Sequence, residues 1–275
     1  MANIENIIQQ IIEAYNSHER NKVYRLIVLL LILPLQEQLF SQETDNQIWT
    51  NYSLKVKTDT KFTYGGDVGF RGDLSNYNWN QILVRPTVNY KFNKTFSGAF
   101  AFAVFHTTNK FLSNVTEFRI HQDFNVEWPQ TKWFSVFGRV RIEERFFTYQ
   151  GENFSNEFRV RGRLLLGVQS QDLHWFGPKR PIYFQTIYEG FLTLGSDSTE
   201  LFINQGRFHL ALGHRIAKNW RYEIHYIRQS SRLTEQTGLQ VSQNIFRLRV
   251  FHTINMNKSK SPIPEIEEDR VDDFN

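Results

Sequence analysis

One stretch of the chain, EFRIHQDFNVEW at 117–128, alternates between two kinds of side chain. Its odd positions are charged or polar, as at Arg119 and Asp123, and its even positions are mostly apolar, as at Phe118 and Phe124. A period of two residues predicts a β-strand with two unlike faces. In a soluble sandwich the apolar face would meet a second sheet. In an outer-membrane barrel it would meet lipid, and the polar face would line the lumen.

The same alternation recurs beyond Gln42 and gives eleven candidate strands, most of which could cover nine or more residues. Strands of that length can cross a bilayer when tilted, whereas soluble strands usually have five or six residues. From Tyr90 onward the connections alternate between short turns and longer polar loops, which is typical of membrane barrels. Tryptophans at strand ends suit an interfacial girdle; they are Trp128, Trp133, Trp175 and Trp220.

These features predict an all-β fold, namely an antiparallel, up-and-down transmembrane β-barrel of about ten to twelve strands in the outer membrane of a Gram-negative bacterium. Single-chain bacterial barrels have even strand numbers. We therefore expect that one strand is missed by the pattern or that one candidate lies outside the wall. With an even number, both ends of the barrel would face the periplasm. Pro86 falls on an apolar face and lacks an N–H group, so a bulge is expected there.

The N-terminal part contains an apolar run of ten residues, Leu26 to Leu35, behind two basic residues. Ten residues are too few to span a bilayer as a helix but suit the apolar region of a signal peptide. A buried amphipathic helix is the alternative. The long segment before the run suggests that the true start lies downstream of Met1. The predicted organisation is a signal-peptide region over 1–41, the barrel over 42–257 and an acidic polar tail over 258–275.

Charge is unevenly distributed along the chain, whose formal net charge is +4. Residues 1–41 carry a net −1 and residues 258–275 a net −3, so removing both leaves +8 on the middle. This excess could meet lipopolysaccharide phosphates or an anionic solute. The other interpretation is a lumen in which arginines are balanced by carboxylates on the same strand faces.

Two strands, WFSVFGRVRIEERF and NEFRVRGRLLLGVQ, carry arginine on one face among glutamates. Buried charges are tolerable only when paired, and long side chains leave little bore in a small barrel. We therefore predict a lumen plugged by its own side chains and a structural or surface-interaction role. The alternative is a porin-like small-solute or anion channel. The predicted lumen charge network is Glu117, Arg119, Arg139, Arg141, Glu143, Arg145, Glu157, Arg159, Arg161, Arg163, Glu189 and Arg207.

No phosphate loop, dinucleotide fingerprint, nucleophile elbow or zinc motif is found in the sequence. The candidate for acid–base chemistry is His121 with Asp123, about 7 Å apart on one strand face. His209, His225 and Ser135 could join them, which leaves an outer-membrane lipid hydrolase or acyltransferase as a further alternative to a structural pair. We predict no metal, cofactor or nucleic-acid partner. The expected partners are outer-membrane lipid, lipopolysaccharide and the barrel-assembly machinery.

Three segments, EFRIHQDFNVEWPQTKWFSVFGRVRIEERF, EFRVRGRLLLGVQ and INQGRFHLALGHRIAKNWRYEIHYIRQ, resemble an uncharacterised family of outer-membrane β-barrels from Bacteroidota that is defined as a domain of unknown function. Trp49 and the run Arg139, Arg141, Glu143 and Arg145 resemble the family most. The resemblance extends from Gln47 to Asn255 and implies an outer-membrane location, but no reaction or ligand. The acidic segment after Ile254 departs from barrels that end on an aromatic residue.

Overall fold

The structure is a computed structural model, and it describes residues 44–129, 131–151, 154–175, 180–194, 205–232 and 240–256. The predicted signal-peptide region, with the proposed start, and the acidic tail lie outside the described residues. Among the described residues no helix is long and apolar enough to cross a membrane. The strands are β1 (Thr44–Lys57), β2 (Phe62–Asp73), β3 (Trp79–Lys91), β4 (Phe96–Asn109), β5 (Asn114–Glu127), β6 (Phe134–Gln150), β7 (Ser155–Ser170), β8 (Ile182–Leu194), β9 (Gln205–Ala217), β10 (Trp220–Arg232) and β11 (Gln240–Asn255).

The strands form one closed barrel in which each strand pairs antiparallel with its neighbours in the sequence, and β1 closes the sheet by parallel pairing with β11. The all-β barrel prediction is therefore confirmed, and the sheet is not split into a sandwich. All eleven candidate strands lie in the wall and close it without a twelfth, so both alternatives, a missed strand and a candidate outside the wall, are wrong. In a meander with an odd strand number the first and last strands run in the same direction, which makes the closing pair parallel.

The parallel closure places the two ends of the barrel chain at opposite sides. Thr44 pairs with Ser242, and Lys57 pairs with Asn255. We call the side where β1 and β11 begin the top of the barrel, and the side where they end the bottom. The chain therefore enters the wall at the top and leaves it at the bottom.

The predicted alternation of loop lengths is wrong for two of the four connections that were predicted to be long, whereas the three connections from β8 to β11 have ten, two and seven residues, as the alternation predicts. Between β4 and β5, and between β6 and β7, where long loops were expected, only four residues separate the strands. Polar residues continue the ladder there, as in the pairs Thr107 with Val115 and Thr148 with Asn156. The polar composition of these segments predicts loops, but a strand that extends beyond an apolar layer also carries polar side chains.

The expected bulge at Pro86 is also absent. Val84 and Thr87 pair with β4 in the same register, although the ladder is interrupted at Arg85 and Pro86, and Pro86 stands opposite Gly66 of β2. Gly66 has a φ of 154°, and a Cβ at this position would lie 2.4 Å from the carbonyl oxygen of Arg85. A glycine thus accommodates the proline where the sequence alone suggested an extra residue.

Side-chain exposure alternates along the strands. On β5, Phe118 and Phe124 are 41% and 47% exposed, whereas Arg119 is 6% and His121 0% exposed. The polar face is thus inside and the apolar face outside, the reverse of a soluble protein. The buried apolar residues form three small clusters on the lumen side, composed of Phe137, Leu165 and Ile187; of Trp49, Ile227 and Ile245; and of Leu83, Ala103 and Phe105.

Candidate functional site

The centre of the lumen is occupied by the carboxylate of Glu143 on β6, which is 0% exposed. Arg161 and Arg163 of β7 each approach it to 2.6 Å, and Arg119 of β5 lies at 3.4 Å. Arg141, two residues away on the same strand face, lies at 3.8 Å. The strand register explains the cluster, because Glu143 stands directly opposite Arg161 and every second residue of a strand faces the lumen.

Two further glutamates share arginines with this centre. Glu189 on β8 lies 2.6 Å from Arg163, 3.2 Å from Arg139 and 3.6 Å from Arg207. Glu117 on β5 lies 2.8 Å from Arg119 and 2.6 Å from Arg145. We call Glu117, Glu143, Glu189 and the arginines that contact them the upper network. Its arginines outnumber its carboxylates, so its net charge is positive.

A cavity of about 160 Å³ lies beside these groups on the barrel axis, lined by residues from ten of the eleven strands. Ten of its lining residues are arginines, whereas Glu117 and Glu189 are the acidic ones. A second cavity, of about 30 Å³, lies toward the bottom between β1, β2, β3 and β11. Arg249 lines both cavities, and the upper one is the larger of the two.

Trp49 of β1 forms one wall of the larger cavity. Its indole ring meets the guanidinium carbons of Arg71, Arg207 and Arg247 at 4.2, 5.1 and 5.9 Å from the ring centroid. These distances are typical of cation–π contacts. Its indole N–H donates to Gln47 at 3.0 Å. Arg207 belongs to β9, so its contact with β1 reaches across the lumen past two intervening strands.

In the lower half of the lumen Asp67 and Asp123 each bind a single arginine, whereas Glu223 lies 3.6 Å from Arg249, 3.8 Å from Arg221 and 2.9 Å from His225. Arg85 donates from Nε and Nη2 to the two oxygens of Asp67 at 2.7 and 2.9 Å. Arg141 donates in the same way to both oxygens of Asp123 at 2.6 Å. Such bidentate hydrogen bonds fix the orientation of the two side chains relative to each other.

The bottom of the lumen is closed by aromatic rings lying on glycines. Phe137 stands opposite Gly167, and Tyr183 stands opposite Gly213, in neighbouring strands. A Cβ at either glycine would lie 2.1 Å from the facing ring. The Tyr183 hydroxyl donates to Glu223 at 2.7 Å, so a polar bond also crosses this layer.

The proposed acid–base pair of His121 and Asp123 does not form a hydrogen bond. Both oxygens of Asp123 accept from Arg141, and neither ring nitrogen of His121 has a hydrogen-bond partner among the described residues. Ser135 stands opposite Gln169, eight residues along β6 from the residue that faces His121.

The other two histidines form a separate group. His209 and His225 lie with their ring centroids 6.1 Å apart, and His225 Nε2 lies 2.9 Å from Glu223. Both line the central cavity, whereas His121 does not. Among the described residues no group of three or more His, Asp or Glu side chains is placed to hold a metal ion.

Of the twelve residues predicted for the charge network, ten form the upper network around Glu117, Glu143 and Glu189. The remaining two, Glu157 and Arg159, pair with each other toward the top, where Arg159 is 49% exposed. Along β7 the exposed fraction of the side chain falls to 15% at Arg161 and 10% at Arg163. The residues that this prediction did not include are Trp49, Asp67, Arg71, Arg85, Glu223, Arg247 and Arg249. All of them have odd numbers, and the odd-numbered strand residues face the lumen. Assigning every odd-numbered charged or aromatic strand residue to the lumen would therefore have found them.

The outer surface carries an aromatic cluster near the bottom. Trp220 stacks on His252 with ring centroids 4.1 Å apart, and the Tyr52 hydroxyl lies 3.0 Å from His252 Nδ1. The four tryptophans predicted for a girdle all lie at the bottom end of the strands and are exposed.

A comparison with known protein families identifies the family of the chain. A family model described as Protein of unknown function (DUF2490) matches residues 46–240, which is more than half of the chain and covers most of β1 and all of β2 to β10. A search of curated proteins finds no significant match. The part of the resemblance that concerned a family of unknown function is therefore confirmed. The chain belongs to DUF2490, a family of proteins of unknown function.

Proposed function

We propose that this protein is a bacterial outer-membrane β-barrel whose lumen is closed by its own side chains and which has a structural or surface-interaction role. The observation that carries the proposal is the inverted polarity of the wall. Buried lumen side chains include the ionised groups of Arg141, Glu143 and Glu189, while large apolar residues are exposed on the outside of the strands. An apolar belt of this extent would aggregate in water and is satisfied by lipid.

Strand length and the aromatic cluster support the same location. Every strand has 12–17 residues, more than the nine to eleven that a tilted strand needs to cross the hydrocarbon layer. The ring cluster of Tyr52, Trp220 and His252 resembles the aromatic girdles of membrane barrels, where amphipathic rings lie at headgroup level. The resemblance to outer-membrane barrels of Bacteroidota points the same way.

The closed lumen supports a role other than an open pore. Arg141 and Glu143 are fully buried, contacts such as that of Arg207 with Trp49 cross the lumen, and the rings of Phe137 and Tyr183 lie across its lower end. Lipid and lipopolysaccharide are the proposed partners of the outer surface, and the barrel-assembly machinery is the proposed route of insertion.

Fractionation and conductance test the proposal. We expect the full chain in the outer-membrane fraction, extracted only with detergent, with gel migration that changes on boiling. In a planar bilayer it should be nearly silent. A protein that stays soluble without detergent contradicts the location, and a large, steady conductance with anion preference favours the anion channel instead.

A further inference from the structure

We propose that the arginine-lined cavity is a binding site for a phosphate group or a closely similar tetrahedral oxyanion. This inference does not rest on the proposed membrane location, because the site is formed inside the lumen. It rests on the charge balance of the lumen, on Arg71 and on the size of the cavity.

The charge balance is positive. Four carboxylates, those of Glu117, Asp123, Glu143 and Glu189, contact seven arginines at 4.0 Å or less, which leaves three positive charges in excess within this group; the arginines are Arg119, Arg139, Arg141, Arg145, Arg161, Arg163 and Arg207. Charges removed from water are stable only when they are compensated. A bound anion would supply the compensation that the neighbouring carboxylates lack.

Arg71 adds a further positive charge to the cavity wall. It donates to the neutral side chain of Gln81 at 3.2 Å and lies over the rings of Trp49 and Phe105, and it forms no ion pair with any described residue. Its Nε has no hydrogen-bond partner among the described residues. The aromatic faces hold the guanidinium in place by cation–π attraction while leaving N–H groups available to a ligand.

The cavity has room for such a ligand. One water molecule needs about 10–15 Å³ of cavity volume. A cavity of about 160 Å³ therefore holds a group of several non-hydrogen atoms with some water. Guanidinium groups form two parallel hydrogen bonds to phosphate, which favours this anion class over a spherical ion. The increase in exposure from Arg163 to Arg159 along β7 points to the top of the barrel as the direction of access.

Titration of the detergent-solubilised full chain with inorganic phosphate, at constant ionic strength in chloride buffer, tests the site. We expect saturable binding with one phosphate per barrel and an unfolding temperature that rises with phosphate. Arg71→Gln should weaken phosphate binding at least about tenfold, since a charge-assisted hydrogen bond is lost. Arg71→Lys, which keeps the charge, should weaken it less.

Arg228→Gln is the matched control, because Arg228 lies on the same barrel but faces outward. Its phosphate affinity should equal that of the wild type. The proposal fails if the wild type shows no saturable binding, or if Arg228→Gln weakens binding as much as Arg71→Gln. A lower apparent phosphate affinity in phosphatidylglycerol micelles than in micelles of an anionic carboxylate detergent, which repel phosphate but carry none, supports the site and identifies a lipid headgroup as the source. Equal affinity supports the site and indicates a soluble phosphate compound.

Discussion

The two halves of the lumen differ in how their charges are matched. In the lower half Asp67 and Asp123 each have one bidentate arginine partner, only Glu223 is shared, and a cavity of about 30 Å³ remains beside the aromatic rings. In the upper half Glu143 is shared by four arginines and Glu189 by three, and a cavity remains. Matched pairs can close a lumen, whereas shared carboxylates leave charge without a dedicated partner and hold the side chains apart.

The largest effect should come from Glu143→Gln, which removes the carboxylate of four arginines. An unpaired buried charge typically costs ~3–5 kcal/mol, so the free energy of unfolding should fall by about that amount. Unfolding in detergent, followed by the change in gel migration, measures it. Glu144→Gln is the control, since the next residue faces outward. Equal losses in the two variants would contradict a central role for Glu143.

A smaller loss is expected from Asp123→Asn in the lower half. It weakens two charge-assisted hydrogen bonds to Arg141, but Arg141 still has Glu143 at 3.8 Å. We expect a loss of about 1.5–3 kcal/mol in the same unfolding measurement. The double variant with Arg141→Gln should lose less than the sum of the single losses, because the two residues form a dedicated pair. Additive losses would show that the lower half is a shared network like the upper one.

Packing at the bottom is tested by Gly213→Ala. The added methyl group would overlap the Tyr183 ring, and overpacking of this kind costs about 1–3 kcal/mol. Gly206→Ala, on the same strand, is the control because its Cβ would meet only the end of the Tyr188 side chain, at 3.2 Å. Similar unfolding temperatures for the two alanine variants would show that the ring does not close the lumen tightly.

The smallest effect should come from Arg71→Gln in phosphate-free buffer. Since Arg71 has no carboxylate partner among the described residues, its loss relieves repulsion, and stability should change by less than about 1 kcal/mol. Arg141→Gln serves as the comparison and should lower the unfolding temperature clearly. A large loss in Arg71→Gln without phosphate would mean that the upper half is as closely matched as the lower half.

Much of the candidate site follows from the alternation of inward and outward residues along each strand. The inward positions of Arg139, Arg141, Glu143 and Arg163 are examples. The same alternation also predicts that Arg71 and Trp49 face inward, but their importance depends on the side chains that they contact across the lumen. Trp49 was notable in the sequence only through a family resemblance. Its contact with Arg207 joins residues 158 positions apart, and no periodicity of either strand can predict it.

Loop lengths and strand number show a second limit of the sequence. Threonine and asparagine around β4 and β5 are compatible with a loop or with a strand that projects from an apolar layer, and only the hydrogen-bonded ladder distinguishes the two. The eleven strands could be counted, but only the pairing of β1 with β11 shows that all eleven lie in the wall and that the closing pair is therefore parallel.

The sequence by itself determined the strands, their two faces and the inward direction of the charges, because these depend on a period of two residues that any extended chain obeys. The tertiary structure decided which inward charges meet, since strand register and barrel closure set the cross-lumen distances. It brought Asp67 to a single arginine and Glu143 to four, and it left Arg71 beside a cavity. Strand register, which the local pattern does not encode, is therefore the physical origin of the difference between the two halves.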